Sequence, residues 1–177
     1  IYDNTAIFFF SDHGDYTGDY GIVEKIENCF EDCLTNVPLI IKPPANINVK
    51  SGVRNCLVEL IDFPATVEEL TGIKFNYTHF GRSLLSVIKG DKVKHRDAVF
   101  SEGGRLKGER HCMGLEGVTS NDPTKLYWPR THLQQKIPED TKAVMVRTKK
   151  YKYVRRLYEK DELYDLVNDP QQLNNLI

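Results

Sequence analysis

Thr5-Ala6-Ile7-Phe8-Phe9-Phe10, followed at once by Ser11-Asp12-His13-Gly14, is the stretch on which the reading of this chain turns. An unbroken apolar run of β-branched and aromatic residues, stopped by a polar turn, is how a strand buried on both faces of a parallel sheet reads. Open α/β sheets hold their ligand sites outside the carboxyl ends of their strands, which is where Asp12 and His13 stand. A carboxylate oxygen beside an imidazole nitrogen suits a divalent cation, but two adjacent donors do not complete a coordination shell, so others must come from elsewhere. On the dipeptide alone, a turn or a cap competes with a metal role.

Downstream, Gly14, Gly18 and Gly21 punctuate a polar loop. Glu24 to Leu34 then reads as a helix and Val37 to Ile41 as a strand closed by Pro43-Pro44, a strand, crossover, strand unit. Asp62 as N-cap, Pro64 in the first turn, Val67 and Leu70 on one face and Gly72 at the end mark a short helix, and Ser83 to Lys89 marks another that stops at Gly90. From Ala98 the pattern changes. Ala98 to Ser101 is strand-like, and a long stretch follows that is rich in Gly, Pro and charge; loops of that length usually carry function or are disordered. Ala143 to Arg147 and Tyr151 to Arg155 flank the turn Thr148-Lys149-Lys150, Glu162 to Leu166 adds a third strand, and Asp169-Pro170 opens a last helical turn. The fold class is therefore α/β, with residues 1–97 as the trailing part of an α/β sheet domain. Residues 98–177 form a small subdomain, an antiparallel meander with a long loop at 103–142.

The chain has 177 residues, 40% hydrophobic and 28% charged, which bounds it to one or two small domains. Its net charge of −1, with both signs interspersed, argues against a nucleic-acid groove or an anionic membrane surface as partner. Ala6 to Phe10, the longest apolar run, is far short of a membrane span and lacks the flanks of a signal peptide. The opening Ile1, so close to a buried strand, leads us to expect a true N-terminus upstream. Cys29, Cys33, Cys56 and Cys112 fit neither a zinc site nor a dense disulfide framework. They read as free thiols in a reducing, cytoplasmic setting, with Cys29 and Cys33 sharing a helix face as small buried hydrophobes.

The segment Phe10-Ser11-Asp12-His13-Gly14-Asp15-Tyr16-Thr17-Gly18-Asp19-Tyr20-Gly21-Ile22-Val23-Glu24-Lys25 resembles the motif that follows the last metal-binding strand of sulfatases, members of the alkaline-phosphatase superfamily. Val37-Pro38-Leu39-Ile40-Ile41-Lys42-Pro43-Pro44, the helix from Leu60 to Ile73 and Gly81-Arg82-Ser83-Leu84-Leu85 continue the resemblance. So do Val146-Arg147-Thr148, Tyr151-Lys152-Tyr153, Glu162-Leu163-Tyr164-Asp165-Leu166 and Asn168-Asp169-Pro170, which are similar to the family's C-terminal subdomain and its terminal helix. Tyr20 departs from the pattern, since many relatives with Asp-His-Gly carry histidine there.

The resemblance implies that Asp12 and His13 ligate a divalent metal, most readily Ca2+, with Mg2+ or Mn2+ as alternatives. Lys25, twelve positions beyond His13, would grip the sulfate oxygens of a small sulfate-ester substrate as both a catalytic and a substrate-binding group. By residue type alone Lys25 would be an exposed helix lysine. Asp15 and Asp19 read as loop formers, Asp15 also orienting His13 from behind. His111, beside Arg105, Lys107 and Arg110, is a candidate contact for an anionic substrate, against the plainer reading of a solvated loop. The family's nucleophile is a formylglycine made from a Cys-x-Pro-Ser-Arg-like segment, and none of the four cysteines has that context. The family's pair of metal-binding aspartates on its first strand has no counterpart here either. The chain thus reads as a C-terminal portion, inactive alone and prone to self-association where its neighbouring strands are missing. A phosphonate monoester or phosphodiester hydrolase, or a non-catalytic binding domain, are the alternatives.

Overall fold

A computed structural model describes residues 1–26, 28–106, 124 and 142–177. Two sheets organise it. The first pairs β1 (Ile7–Phe10) with β2 (Leu39–Lys42), and the second, of order β3-β4-β5-β6, contains β3 (Val99–Gly103), β4 (Ala143–Arg147), β5 (Tyr151–Arg156) and β6 (Glu162–Asp165). Among the described residues three α-helices accompany them: α1 (Asp32–Thr35), α2 (Asp62–Thr71) and α3 (Leu85–Lys89).

β1 and β2 run antiparallel, with Phe10 opposite Leu39 and Ile7 opposite Lys42, so the expected parallel crossover does not form. The reason lies in the intervening chain. Gly14 N–H donates to Leu34 O at 2.8 Å, which brings the chain back to the end of β1 that it left, and a strand starting there can only return antiparallel. Among the described residues, one face of β1 is covered. Phe8 and Phe10 pack on Phe63 of α2, with ring centroids 4.9 and 5.2 Å apart, while Phe9 and its partner Ile40 on the opposite face are 62% and 63% exposed.

The expected helix from Glu24 to Leu34 shrinks to the single turn of α1, so Cys29 and Cys33 do not share a helix. The carbonyls of Asn28 and Phe30, which a helix would use internally, are taken by Arg156 Nη1 at 2.9 Å and Lys152 Nζ at 2.5 Å from the second sheet. α2 ends as read, at Gly72 in a left-handed conformation with φ 74°. Asp62, however, is not its cap. The side chain is fully buried and collects bonds from Glu59 N–H (3.0 Å), Arg82 N–H (2.8 Å), His95 Nε2 (3.1 Å) and Arg96 Nε (3.0 Å). Gly81 makes this possible, because a Cβ there would sit 2.0 Å from the Ile61 carbonyl oxygen.

The second sheet forms as an antiparallel meander. Met145 lies opposite Val154 and, with Ala143 and Phe30, forms a buried apolar cluster, which seats the sheet on the 28–34 segment. On that same inward face the next pair out, Arg147 and Lys152, is cationic. After Asp169 the chain makes hydrogen-bonded turns in place of the expected terminal helix. No helix among the described residues is long and apolar enough to cross a membrane.

Candidate functional site

Asp12 and His13 leave β1 at its carboxyl end and open into a cleft of about 1140 Å³ between the two sheets. His13 Nδ1 lies 2.8 Å from the carbonyl oxygen of Gly14. A carbonyl can only accept, so Nδ1 carries a proton and Nε2 is the ring nitrogen left outside that bond. That nitrogen faces Asp12 Oδ2 at 3.6 Å, while Asp12 Oδ1 accepts the His13 backbone N–H at 2.9 Å. One nitrogen and one carboxylate oxygen are thus left side by side, at a separation a divalent cation with bonds of about 2.0–2.5 Å spans. The donor set fits such an ion. Among the described residues no third or further His, Cys, Asp or Glu joins them.

The Asp12 carboxyl is held below its ordinary range, first by the His13 N–H, then against a small burial effect by the His13 ring and, more weakly, by the Lys25 ammonium. Lys25 lines the same cleft as Asp12 and His13. It stands on exposed coil, not on the helix that the local pattern suggested. Asp15 bonds the backbone N–H of Tyr16 at 2.9 Å as a loop former; the group that orients His13 is the Gly14 carbonyl. His111 lies outside the described residues, as do Lys107, Arg110 and Cys112. Arg105 is buried, its carbonyl accepting Lys142 N–H at 2.7 Å. Cys29, Cys33 and Cys56 are free.

Several residues position the site through contacts that the sequence did not show. Gly14 touches α1 so closely that a Cβ would lie 1.8 Å from the Cys33 carbonyl oxygen. Tyr16 is buried and donates to Glu31 Oε2 at 2.6 Å; burial first, then the Glu31 carboxylate, pushes its phenol pKa far up. Tyr20, in a left-handed conformation with φ 54°, donates to Gln171 O at 2.9 Å and ties the loop to the C-terminal tail. No local pattern announces these contacts, since Tyr16 and Tyr20 meet partners 15 and 151 positions away.

No protein-family model matches the chain. It is 29% identical to an N-acetylglucosamine-6-sulfatase of Bos taurus over 98% of its own length and 31% of the relative's. Among solved structures, a 2-O GAG sulfatase superposes with a TM-score of 0.69 at 28% identity, over 98% of this chain and 32% of that one. The phosphonate monoester hydrolase of Agrobacterium radiobacter shares the fold with a TM-score of 0.69 at 23% identity, over 99% and 31%. The chain spans about 30% of the length of the curated relatives it matches. It is homologous to sulfatases, and its mixed α/β architecture is that of the C-terminal part of sulfatase structures of the alkaline-phosphatase superfamily.

Proposed function

We propose that the whole protein hydrolyses sulfate esters, with this chain supplying two ligands of a divalent metal, Asp12 and His13, and the sulfate-binding cation, Lys25. One observation carries the reading: the Gly14 carbonyl fixes the His13 ring so that Nε2 faces the Asp12 carboxylate at 3.6 Å, with Lys25 lining the same cleft. The ion, Ca2+ by its preference for hard oxygen donors, would polarise a sulfate oxygen. Asp12 and His13 hold their donor atoms ready before any ion arrives. The Lys25 ammonium neutralises charge that builds on the sulfuryl oxygens as the ester bond breaks. The nucleophile, a formylglycine in this reading, and the remaining metal ligands come from residues outside this chain, so residues 1–177 alone bind metal weakly and do not turn over substrate.

The test uses the full-length protein and an aryl sulfate. Lys25→Ala should lower kcat/KM a hundredfold or more, about 3 kcal/mol of transition-state stabilisation, with thermal stability nearly unchanged. Lys25→Arg should not rescue it fully, because a planar fork cannot replace a compact ammonium. An alanine variant within threefold of the parent would return Lys25 to the role of an exposed lysine.

A second reading is favoured by the shared fold with the phosphonate monoester hydrolase, since an Asp-His pair beside a lysine serves phosphonate and phosphodiester hydrolysis equally well. Comparing kcat/KM for an aryl sulfate and an aryl phosphonate monoester decides between them. A hundredfold preference for the phosphonate would overturn the sulfatase assignment and leave the roles of Asp12, His13 and Lys25 in place.

A further inference from the structure

Asp32, the first residue of α1, lies at the meeting point of three elements of the C-terminal half. Its carboxylate forms an ion pair with Arg147 at the end of β4, accepts Gln172 Nε2 at 3.0 Å from the tail, and faces Lys152 Nζ of β5 at 3.8 Å. The Lys152 side chain is only 2% exposed and also caps the Phe30 carbonyl at 2.5 Å. α1 is therefore fixed from behind by charges it cannot lose without leaving a buried cation unpaired. Its other end carries the Asp12-His13 loop. Leu34 O accepts the Gly14 N–H at 2.8 Å, and the Gly14 carbonyl in turn accepts His13 Nδ1–H at 2.8 Å. A single residue, Gly14, thus hands the position of α1 on to the imidazole.

We propose that Asp32 is a positioning residue for the metal-binding pair: held by Arg147, Lys152 and Gln172, it sets α1 and, through Leu34 and Gly14, the orientation of His13 Nε2 toward Asp12. The inference rests on the metal role given above to Asp12 and His13. Groups that orient metal ligands typically change affinity ten- to a hundredfold when removed, and a displacement transmitted through two hydrogen bonds belongs at the lower end of that range.

Metal-stripped full-length protein is titrated with calcium chloride by calorimetry, in the parent, Asp32→Asn, Gln172→Ala and Asp12→Ala. Asp32→Asn should weaken calcium binding about tenfold, and Gln172→Ala, which removes one of the carboxylate's hydrogen bonds and leaves its ion pairs, about threefold. Activity lost by Asp32→Asn should return in large part when calcium is raised tenfold, an effect that a purely structural role would not produce. Calcium affinity within twofold of the parent in Asp32→Asn, alongside clear loss in Asp12→Ala, overturns the positioning role and leaves the metal reading standing. Equal affinity in the parent and Asp12→Ala overturns both. Should Asp32→Asn not fold, Gln172→Ala decides alone: parent-like affinity together with an unchanged calcium dependence of the rate rejects the proposal.

Discussion

A carboxylate with no solvent exposure survives only if its charge is answered, and at Asp62 the Arg96 guanidinium, the His95 ring and two backbone amides do so. Burial would raise the Asp62 pKa, but the Arg96 guanidinium and the amides of Arg82 and Glu59 outweigh it and hold the carboxyl below its ordinary value. A depressed folded pKa contributes stability that is complete above the unfolded value of about 4 and disappears as pH falls through the folded one. Asp62→Asn should therefore cost about 3–5 kcal/mol at neutral pH and less at pH 2, where the unfolded parent's carboxyl, with an ordinary value of about 4, is protonated and part of this stability is gone. Urea melts of both proteins at the two pH values check this, and an equal difference at both would reject it. From the sequence Asp62 read as a helix cap, because Pro64 and Gly72 are local signals and its true partners are not. Arg82, His95 and Arg96 stand 20, 33 and 34 positions away. Asp12, His13 and Lys25 line one cleft, and their closeness in the chain is why a motif could propose them together.

Elements whose ends are set by local chemistry formed where the sequence placed them. The loop between β4 and β5 is one, Thr148 Oγ1 accepting the amides of Lys150 at 3.2 Å and Tyr151 at 2.9 Å. The helix read over 24–34 failed because its carbonyls serve Arg156 and Lys152 of a sheet more than a hundred positions away, a tertiary demand no periodicity records. Two glycines separate these influences. Gly72 needs a positive φ but has nothing within 4 Å of the place a Cβ would occupy, so Gly72→Ala should cost about 1 kcal/mol, the conformational penalty alone. Gly14 is limited by the Cys33 carbonyl instead, so Gly14→Ala should cost more than Gly72→Ala and also weaken metal binding, because it displaces the peptide that orients His13. Thermal unfolding paired with calcium titration measures both effects. A Gly14→Ala protein with parent-like calcium affinity would count against this coupling.

At the scale of the whole molecule, the α/β class and the antiparallel C-terminal meander were legible as alternation and turn chemistry, whereas which face of β1 is covered was not, since an all-apolar run looks alike on either side. Here α2 covers the Phe8 and Phe10 face through Phe63, while Phe9, Ile40 and Ile7 lie open on a two-stranded sheet whose outer edges pair with nothing among the described residues. Such a face and such edges invite association. Residues 1–177 expressed alone should accordingly self-associate, though weakly. Burying side chains of this size contributes about 1.5–3 kcal/mol each, and association costs at least about 4 kcal/mol in lost translational and rotational freedom. Light scattering should show dimers growing in as concentration rises, more strongly in ammonium sulfate, which favours apolar burial. Phe9→Thr combined with Ile40→Thr should abolish the effect without loss of fold, because both side chains lie largely exposed and on that face lose mainly each other. A parent that stays monomeric at high concentration, or a double variant that associates as before, would move the sticky surface away from β1 and β2.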